Sequence, residues 1–174
     1  MENGKAPGGA PPVFPLFFDL SEKRVLFVGA GKVATRRIRT LLPFVKEITV
    51  VAPEASPEIR TLAAEGKLSL HVRAYAADDP DGRDMVRRDI DGRDIVFAAT
   101  DDLEVNDLVW SACRERGIPV NVSSDRRKCD FIFPAVVKDG AVVAGICSGG
   151  EDIGAVKRAA EALKKAFKKS EKSC

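Results

Sequence analysis

Arg24-Val25-Leu26-Phe27-Val28-Gly29-Ala30-Gly31-Lys32-Val33-Ala34 is the stretch on which the reading of this chain turns. Val25–Val28 is apolar without polar alternation, the pattern of a strand covered on both faces of a parallel sheet. The run ends in a glycine turn and passes directly into a helical pattern. Gly29-Ala30-Gly31-Lys32-Val33-Ala34 fits G-x-G-x-x-G/A. In that motif the first glycine makes the tight turn and the second lets backbone approach a pyrophosphate. The small last residue lets helix pack closely on strand. Backbone N–H groups at the helix start then favour the phosphates. A second strand, Ile48–Val51, follows the helix, so the motif sits in the context that dinucleotide binding requires.

Working outward, Lys32–Leu42 carries apolar residues at Val33, Ala34, Ile38, Leu41 and Leu42, and Pro43 ends the helix. The second strand runs out at Ala52-Pro53-Glu54. An acidic residue near this point can hold the adenosine ribose of a dinucleotide, and Glu54 stands there. A short helix over Pro57–Glu65 and a third strand over Leu68–Val72 follow. Asp78–Asp94, with Asp-Gly-Arg-Asp at 81–84 and again at 91–94, reads as a solvated loop and short helix. Ile95–Ala99 is a fourth continuous apolar strand, ending in Thr100-Asp101-Asp102 at the edge where such sheets bind ligands. Leu103–Arg116 is an amphipathic helix closed by Gly117, and Ile118–Val122 is the fifth strand. The period then changes. Phe131–Val137 and Ala141–Cys147 flank Lys138-Asp139-Gly140, a hairpin signal. Two apolar strands outside the parallel sheet need a cover, and a second copy of the chain is the economical one. Ser148-Gly149-Gly150 leads to a final helix, Ile153 to about Lys169, whose lysines read as a solvated face. The expected organisation is a tail over 1–12, a dinucleotide-binding domain over 13–125, a dimerising β-segment over 126–150 and a helical segment over 151–174. Phe14–Leu20, apolar and broken by Pro15, is expected to lie against the sheet edge.

The bulk properties exclude more than they assign. Of 174 residues, 45% are hydrophobic, which suits a globular α/β chain with one main core. Lys and Arg number 28 against 26 Asp and Glu, a balance that gives no support to a nucleic-acid partner. No apolar run approaches a membrane span, and no secretory segment follows the N-terminus. Cys113, Cys129, Cys147 and Cys174 show neither C-x-x-C nor zinc spacing, so reduced thiols in a cytoplasm are expected. His71, the single histidine, falls in a strand, and neither a His-based metal site nor a triad is expected.

Several segments together resemble one family. Phe14–Leu20, Gly29–Ala34, Val50–Glu54, Ala98–Asp102, Val120–Val122, Cys129–Ala135 and Ser148–Gly150 occur in the order seen in precorrin-2 dehydrogenase, the dehydrogenase module of siroheme synthase. The pairing of Ala-Ala-Thr-Asp-Asp with Cys-Asp-Phe-Ile-Phe-Pro-Ala is the most specific part, and the resemblance spans about Val13 to Lys169. It implies a homodimer with a doubly wound Rossmann domain, oxidising precorrin-2 to sirohydrochlorin with NAD as hydride acceptor. It also implies that Gly29, Gly31, Lys32 and Val33 line the pyrophosphate. Pro53 and Glu54 would sit by the adenosine ribose, and Thr100 and Asp101 near the nicotinamide.

The chain departs from the family pattern in three places. After the fifth strand the family reads Asn-Val-x-Asp-Asp or Asn-Val-x-Asp-Ala, with the first Asp as the proposed catalytic carboxylate. Here the run is Asn121-Val122-Ser123-Ser124-Asp125, which puts Ser124 at that position. Asp125 is then expected to supply the negative charge, with Ser124 positioning substrate through its hydroxyl. Glu151-Asp152-Ile153 stands where the family has Lys/Thr-Ser-Pro, and the chain ends soon after one helix. Weak chelatase activity is expected on that ground. Precorrin-2 is ringed with carboxylates, which suit the guanidinium forks of Arg126-Arg127-Lys128. Asn121 at the strand end and the Ser148-Gly149 turn complete the expected substrate contacts. Glu54 and the lack of arginine over Pro53–Pro57 favour NAD over NADP. Two other readings stand beside the enzyme: a tetrapyrrole carrier or chelatase without dehydrogenation, and a non-enzymatic NAD-sensing module.

Overall fold

Apolar runs without alternation must be covered on both faces, and the chain answers with one parallel sheet between helices. The computed structural model describes residues 13–75 and 80–170, the side chains of 80–82 and 169–170 excepted. The expected tail over 1–12 lies outside the described residues. The chain divides into two compact units, one over Phe18–Phe131 and one formed by Ile132–Cys174 with the N-terminal residues to Phe17.

The larger unit runs β1 (Arg24–Val28), α1 (Lys32–Leu41), β2 (Glu47–Ala52), α2 (Pro57–Ala64), β3 (Ser69–Val72), α3 (Pro80–Ile90), β4 (Ile95–Ala98), α4 (Leu103–Arg116) and β5 (Val120–Val122). All five strands are parallel, in the order β3-β2-β1-β4-β5. The register pairs Val28 with Val51 and with Ala98, and Ala98 with Val122. The carboxyl ends of β1, β2, β4 and β5 therefore stand in one row. The chain winds outward one way from β1 to β3, then returns to the other side of β1 with β4. The switch point falls between the loops after β1 and β4, where open α/β sheets bind ligands.

Burial explains the central strands. Val25, Leu26, Phe27, Val50, Val96 and Val120 are all fully buried. Phe27 stacks on Phe97 with ring centroids 4.4 Å apart, and truncating either ring would cost about 3–5 kcal/mol. α1 turns Ala34, Ile38 and Leu41 to the sheet, at the spacing read from sequence. α2 starts with Pro57 after an Ser56 N-cap. α4 starts with Asp102 accepting from the N–H groups of Glu104 and Val105, and ends at left-handed Gly117.

Two expectations change here. Residues 80–90 form an eleven-residue helix rather than a loop with a short helix, because Val86 and Ile90, one turn apart, bury completely against the core. The second Asp-Gly-Arg-Asp then ties that helix to the sheet: Asp94 accepts from the Arg24 N–H, and Arg93 reaches Glu47 and Thr49. Phe14, Leu16, Phe17 and Phe18, apolar as they are, stand between 66% and 83% exposed. Residues 126–131, read as the start of the hairpin segment, fold back on β5 instead. Asp130 exchanges backbone and side-chain bonds with Val120, and Asn121 donates to the Phe131 carbonyl.

The smaller unit contains β6 (Ala135–Asp139), β7 (Val142–Ile146) and α5 (Ile153–Ser170). The two strands are antiparallel, joined at Gly140. The first begins at Ala135 rather than Phe131, since Pro134 has no N–H for the ladder. α5 packs on both strands, and Val137 and Ala160 are buried while Val142 stays exposed. Among the described residues, no helix is long and apolar enough to cross a membrane.

Candidate functional site

Two glycines at the end of β1 do different jobs. Gly29 adopts φ +104° and leaves no room for a side chain against the Ala99 backbone. It is locked from both sides, its N–H donating to Val51 O while the Ala99 N–H donates to Val28 O. Gly31 has an ordinary φ of −76°, and a Cβ there would meet open space. It is the N-cap of α1, where no side chain caps the first turn and no acidic residue stands in it. The first-turn N–H groups of α1 have no side-chain cap, and Lys32 and Val33 beside them are exposed. Ala34 is fully buried beneath them. Room at Gly31 and open donors fit a pyrophosphate.

The loop after β2 is bound to this turn. The Ser56 N–H donates to Ala30 O at 3.3 Å, and the Ser56 and Thr35 hydroxyls lie 2.9 Å apart. Pro53 and Glu54, both exposed, are thereby held beside the glycine turn, where an adenosine ribose would lie. Arg60, not singled out from sequence, folds back to donate through Nε to Ala55 O at 3.2 Å. Its cation therefore stands at the same loop as Glu54.

Across the switch point, Asp101 is exposed and Thr100 is held by a residue the sequence reading missed. Asn106 of α4 is fully buried and bonds the Thr100 N–H, hydroxyl and carbonyl, and also Ser124 Oγ. The loops after β4 and β5 are thus joined through one amide. The available signal was a polar residue on the buried stripe of a helix, in line with Val109 and Cys113.

Of the candidate substrate residues, Asn121 is placed otherwise than expected. It is 3% exposed, its Oδ1 accepting from Arg37 and its Nδ2 donating to Phe131 O, each at 2.8 Å. A buried amide bonded at both ends supports the loop. Arg37, whose pKa burial lowers, also donates to Ser123 Oγ and lies over the Phe97 ring. The basic run is split three ways. Arg127 forks onto Asp125, bonding both carboxylate oxygens. Those bonds, with the Arg127 backbone N–H on the same carboxylate, hold the Asp125 pKa down at about 2. Lys128 pairs with Asp107 over the Trp110 ring. Arg126 is exposed and makes no ion pair among the described residues. In the smaller unit, Ser148 Oγ accepts from the Asp152 N–H, and Gly149 and Gly150 both take positive φ, which makes that segment a glycine turn leading into α5.

The chain has counterparts among known proteins. Residues 16–135 match the family described as "Putative NAD(P)-binding". The chain is 40% identical over 138 residues to a siroheme synthase of Psychrobacter sp., covering 79% of this chain and 26% of that protein. It is 36% identical over 137 residues to a siroheme synthase of Pseudoalteromonas atlantica, covering 79% and 28%. The chain therefore spans little more than a quarter of the length of these relatives. Among solved structures, SirC, a precorrin-2 dehydrogenase, superposes with a TM-score of 0.68 at 28% identity, covering 88% of this chain and 71% of that one.

Proposed function

Because the chain belongs to the NAD(P)-binding family that it matches over residues 16–135, we propose that it oxidises precorrin-2 to sirohydrochlorin with NAD as hydride acceptor. The observation that carries this reading is the topological switch point between the loops after β1 and β4. It offers open backbone donors at Gly31 on one side and the Thr100–Asn106–Ser124 group on the other. The structural likeness to a precorrin-2 dehydrogenase supports the substrate.

When bound, NAD would supply the site that accepts the hydride, and the proton that the macrocycle loses with it goes to solvent. The chain's residues bind and orient. Gly29–Val33 take the pyrophosphate, Glu54 the ribose hydroxyls, and Thr100 and Asp101 the nicotinamide half. Ser124 positions substrate through its hydroxyl. Asp125 stays ionised, so it contributes negative charge as hydride departure leaves the macrocycle electron-poor; a carboxyl held near 2 is a weak proton acceptor. Arg126 is the cation of its run that remains open to a substrate carboxylate. The working form is a homodimer in the cytoplasm, its thiols reduced. Exposed Phe14, Leu16, Phe17 and Phe18, with Val142 on the hairpin, support self-association.

Purified chain with precorrin-2 and NAD should develop sirohydrochlorin absorbance, and Asp125→Asn should lower turnover at least tenfold while cofactor affinity holds. Sedimentation at micromolar concentration should report twice the chain mass. The Arg127 fork on Asp125 favours a second reading, a tetrapyrrole carrier without dehydrogenation. Tight binding of sirohydrochlorin with no NAD-dependent turnover would select it.

A further inference from the structure

We propose that Asn106 is a positioning residue that sets the hydrogen-bonding sense of two hydroxyls at the carboxyl edge of the sheet. It makes Thr100 an acceptor and turns the Ser124 proton outward as a donor. This rests on the proposed dehydrogenase reading, and deepens it by naming the group that Ser124 can take: a carboxylate or carbonyl oxygen.

The argument begins with a buried amide. Asn106 is 0% exposed, so each of its polar atoms must be paired inside the protein. Its Oδ1 lies 3.2 Å from the Thr100 N and 2.9 Å from Thr100 Oγ1. Its Nδ2 lies 3.0 Å from Thr100 O and 3.2 Å from Ser124 Oγ. Side-chain amides can usually be turned over without visible penalty. Here they cannot. A backbone N–H only donates and a backbone carbonyl only accepts, so Thr100 itself dictates which end of Asn106 is oxygen.

Two consequences follow for the hydroxyls. Ser124 Oγ receives an N–H from Asn106, and its own proton must go elsewhere; the residue is exposed, so that proton is available to a ligand. Thr100 is the reverse. Its single hydroxyl proton is shared between Asn106 Oδ1 and Asp102 O, the latter at 2.7 Å, both acceptors, which leaves the oxygen lone pairs. One hydroxyl donates and the other accepts. Ser124 cannot serve as a base, because an amide N–H offers nothing to take its proton. A substrate ringed with carboxylates supplies the acceptor that Ser124 is set to meet.

Asn106→Asp keeps the size and removes both N–H donors, so Ser124 can turn its proton inward. Asn106→Asp and Ser124→Ala should each lower kcat/KM for precorrin-2 about tenfold. The double variant should fall no more than about threefold below the poorer single, since Asn106 acts through Ser124. Multiplicative losses, or full activity in Asn106→Asp, would overturn the inference. A second measurement needs neither turnover nor the Asn106 variant. In the full chain, the Asn106 side-chain N–H signals should exchange slowly with water, and one of the two should shift in Ser124→Ala. If neither signal is protected and neither moves, the inference fails whatever the chain does with precorrin-2. If they behave as stated while wild-type chain with NAD leaves precorrin-2 unchanged, the dehydrogenase reading fails and the geometry assigned to Asn106 stands.

Discussion

A Cβ built on Gly29 would stand 2.3 Å from the carbonyl oxygen of Ala99. The two strand ends at the switch point, β1 and β4, are in backbone contact here, and only a residue without a side chain permits it. The left-handed φ of +104° adds a second demand for glycine.

Gly29→Ala should therefore lose at least about 3 kcal/mol in denaturant unfolding, or fail to fold. Gly31→Ala should behave oppositely. Its φ suits any residue and its Cβ meets nothing, so stability should change by less than about 1 kcal/mol. Nicotinamide cofactor affinity should nevertheless fall at least tenfold, because the methyl fills the space the pyrophosphate needs. Calorimetric titration against a folded Gly31→Ala sample decides it, and unchanged affinity would remove Gly31 from the cofactor site.

Asp125 carries a pH signature of its own. Its carboxyl is held at about 2 by Arg127, against about 3.9 for an unpaired aspartate. The folded protein thus binds this proton less readily than the unfolded chain. The pairing adds stability above the unfolded value, and the increment is lost as pH falls toward the folded one. Arg127→Ala should raise the Asp125 pKa toward the ordinary range, seen directly by NMR titration of its carboxyl carbon. The wild-type rate profile should show no limb from Asp125 between about pH 5 and 8. A titration midpoint for Asp125 inside that window would contradict the observed fork.

Cofactor choice rests on Glu54 and Arg60 together. The segment Pro53–Pro57 contains no arginine, but the chain folds Arg60 back onto Ala55. Glu54 repels a 2′-phosphate while Arg60 stands ready to pair with one. Wild-type chain should prefer NAD. Glu54→Gln should raise relative NADP use about tenfold, and adding Arg60→Ala should cancel most of that gain. Steady-state rates with both cofactors read this, and an NADP preference in the wild type would reverse the assignment of Glu54.

These cases show where sequence reasoning reached and where it stopped. The sheet was legible because Val25–Val28, Ile48–Val51 and Ile95–Ala98 lack alternation, and burial on both faces is the physical meaning of that pattern. The glycine turn after β1 was legible because backbone chemistry at Gly29 and Gly31 leaves a mark in residue type. Asn106 left only its place on the buried stripe of α4, and Arg60 left no mark. Their roles depend on which atoms the fold brings within 3 Å, and a polar residue on a helix has the same letter whether it faces water or Thr100. Asn121 misled for the same reason: its place at a strand end suggested a ligand, while its amide is spent on Arg37 and Phe131.

The last prediction separates Asn121 from Arg126, two residues that sequence placed together at the substrate. Asn121 is buried and bonds two partners, so Asn121→Ala strands the Phe131 carbonyl and removes an acceptor from the partly buried Arg37 guanidinium. Unpaired buried groups of this kind cost about 1–3 kcal/mol each, and the loss should show as a lower denaturation midpoint. Arg126 sits exposed on the short 3-10 turn at 126–128, and its side chain makes no ion pair among the described residues. Arg126→Ala should leave the midpoint unchanged within about 0.5 kcal/mol. Its effect should fall on the KM for precorrin-2, a rise of several-fold that shrinks in high salt, because an exposed charge pair is screened over about 8–10 Å. If Arg126→Ala leaves KM untouched, the substrate carboxylates are met elsewhere. If Asn121→Ala raises KM without destabilising the chain, the buried amide reaches the ligand after all, and the loop it supports must open when substrate binds.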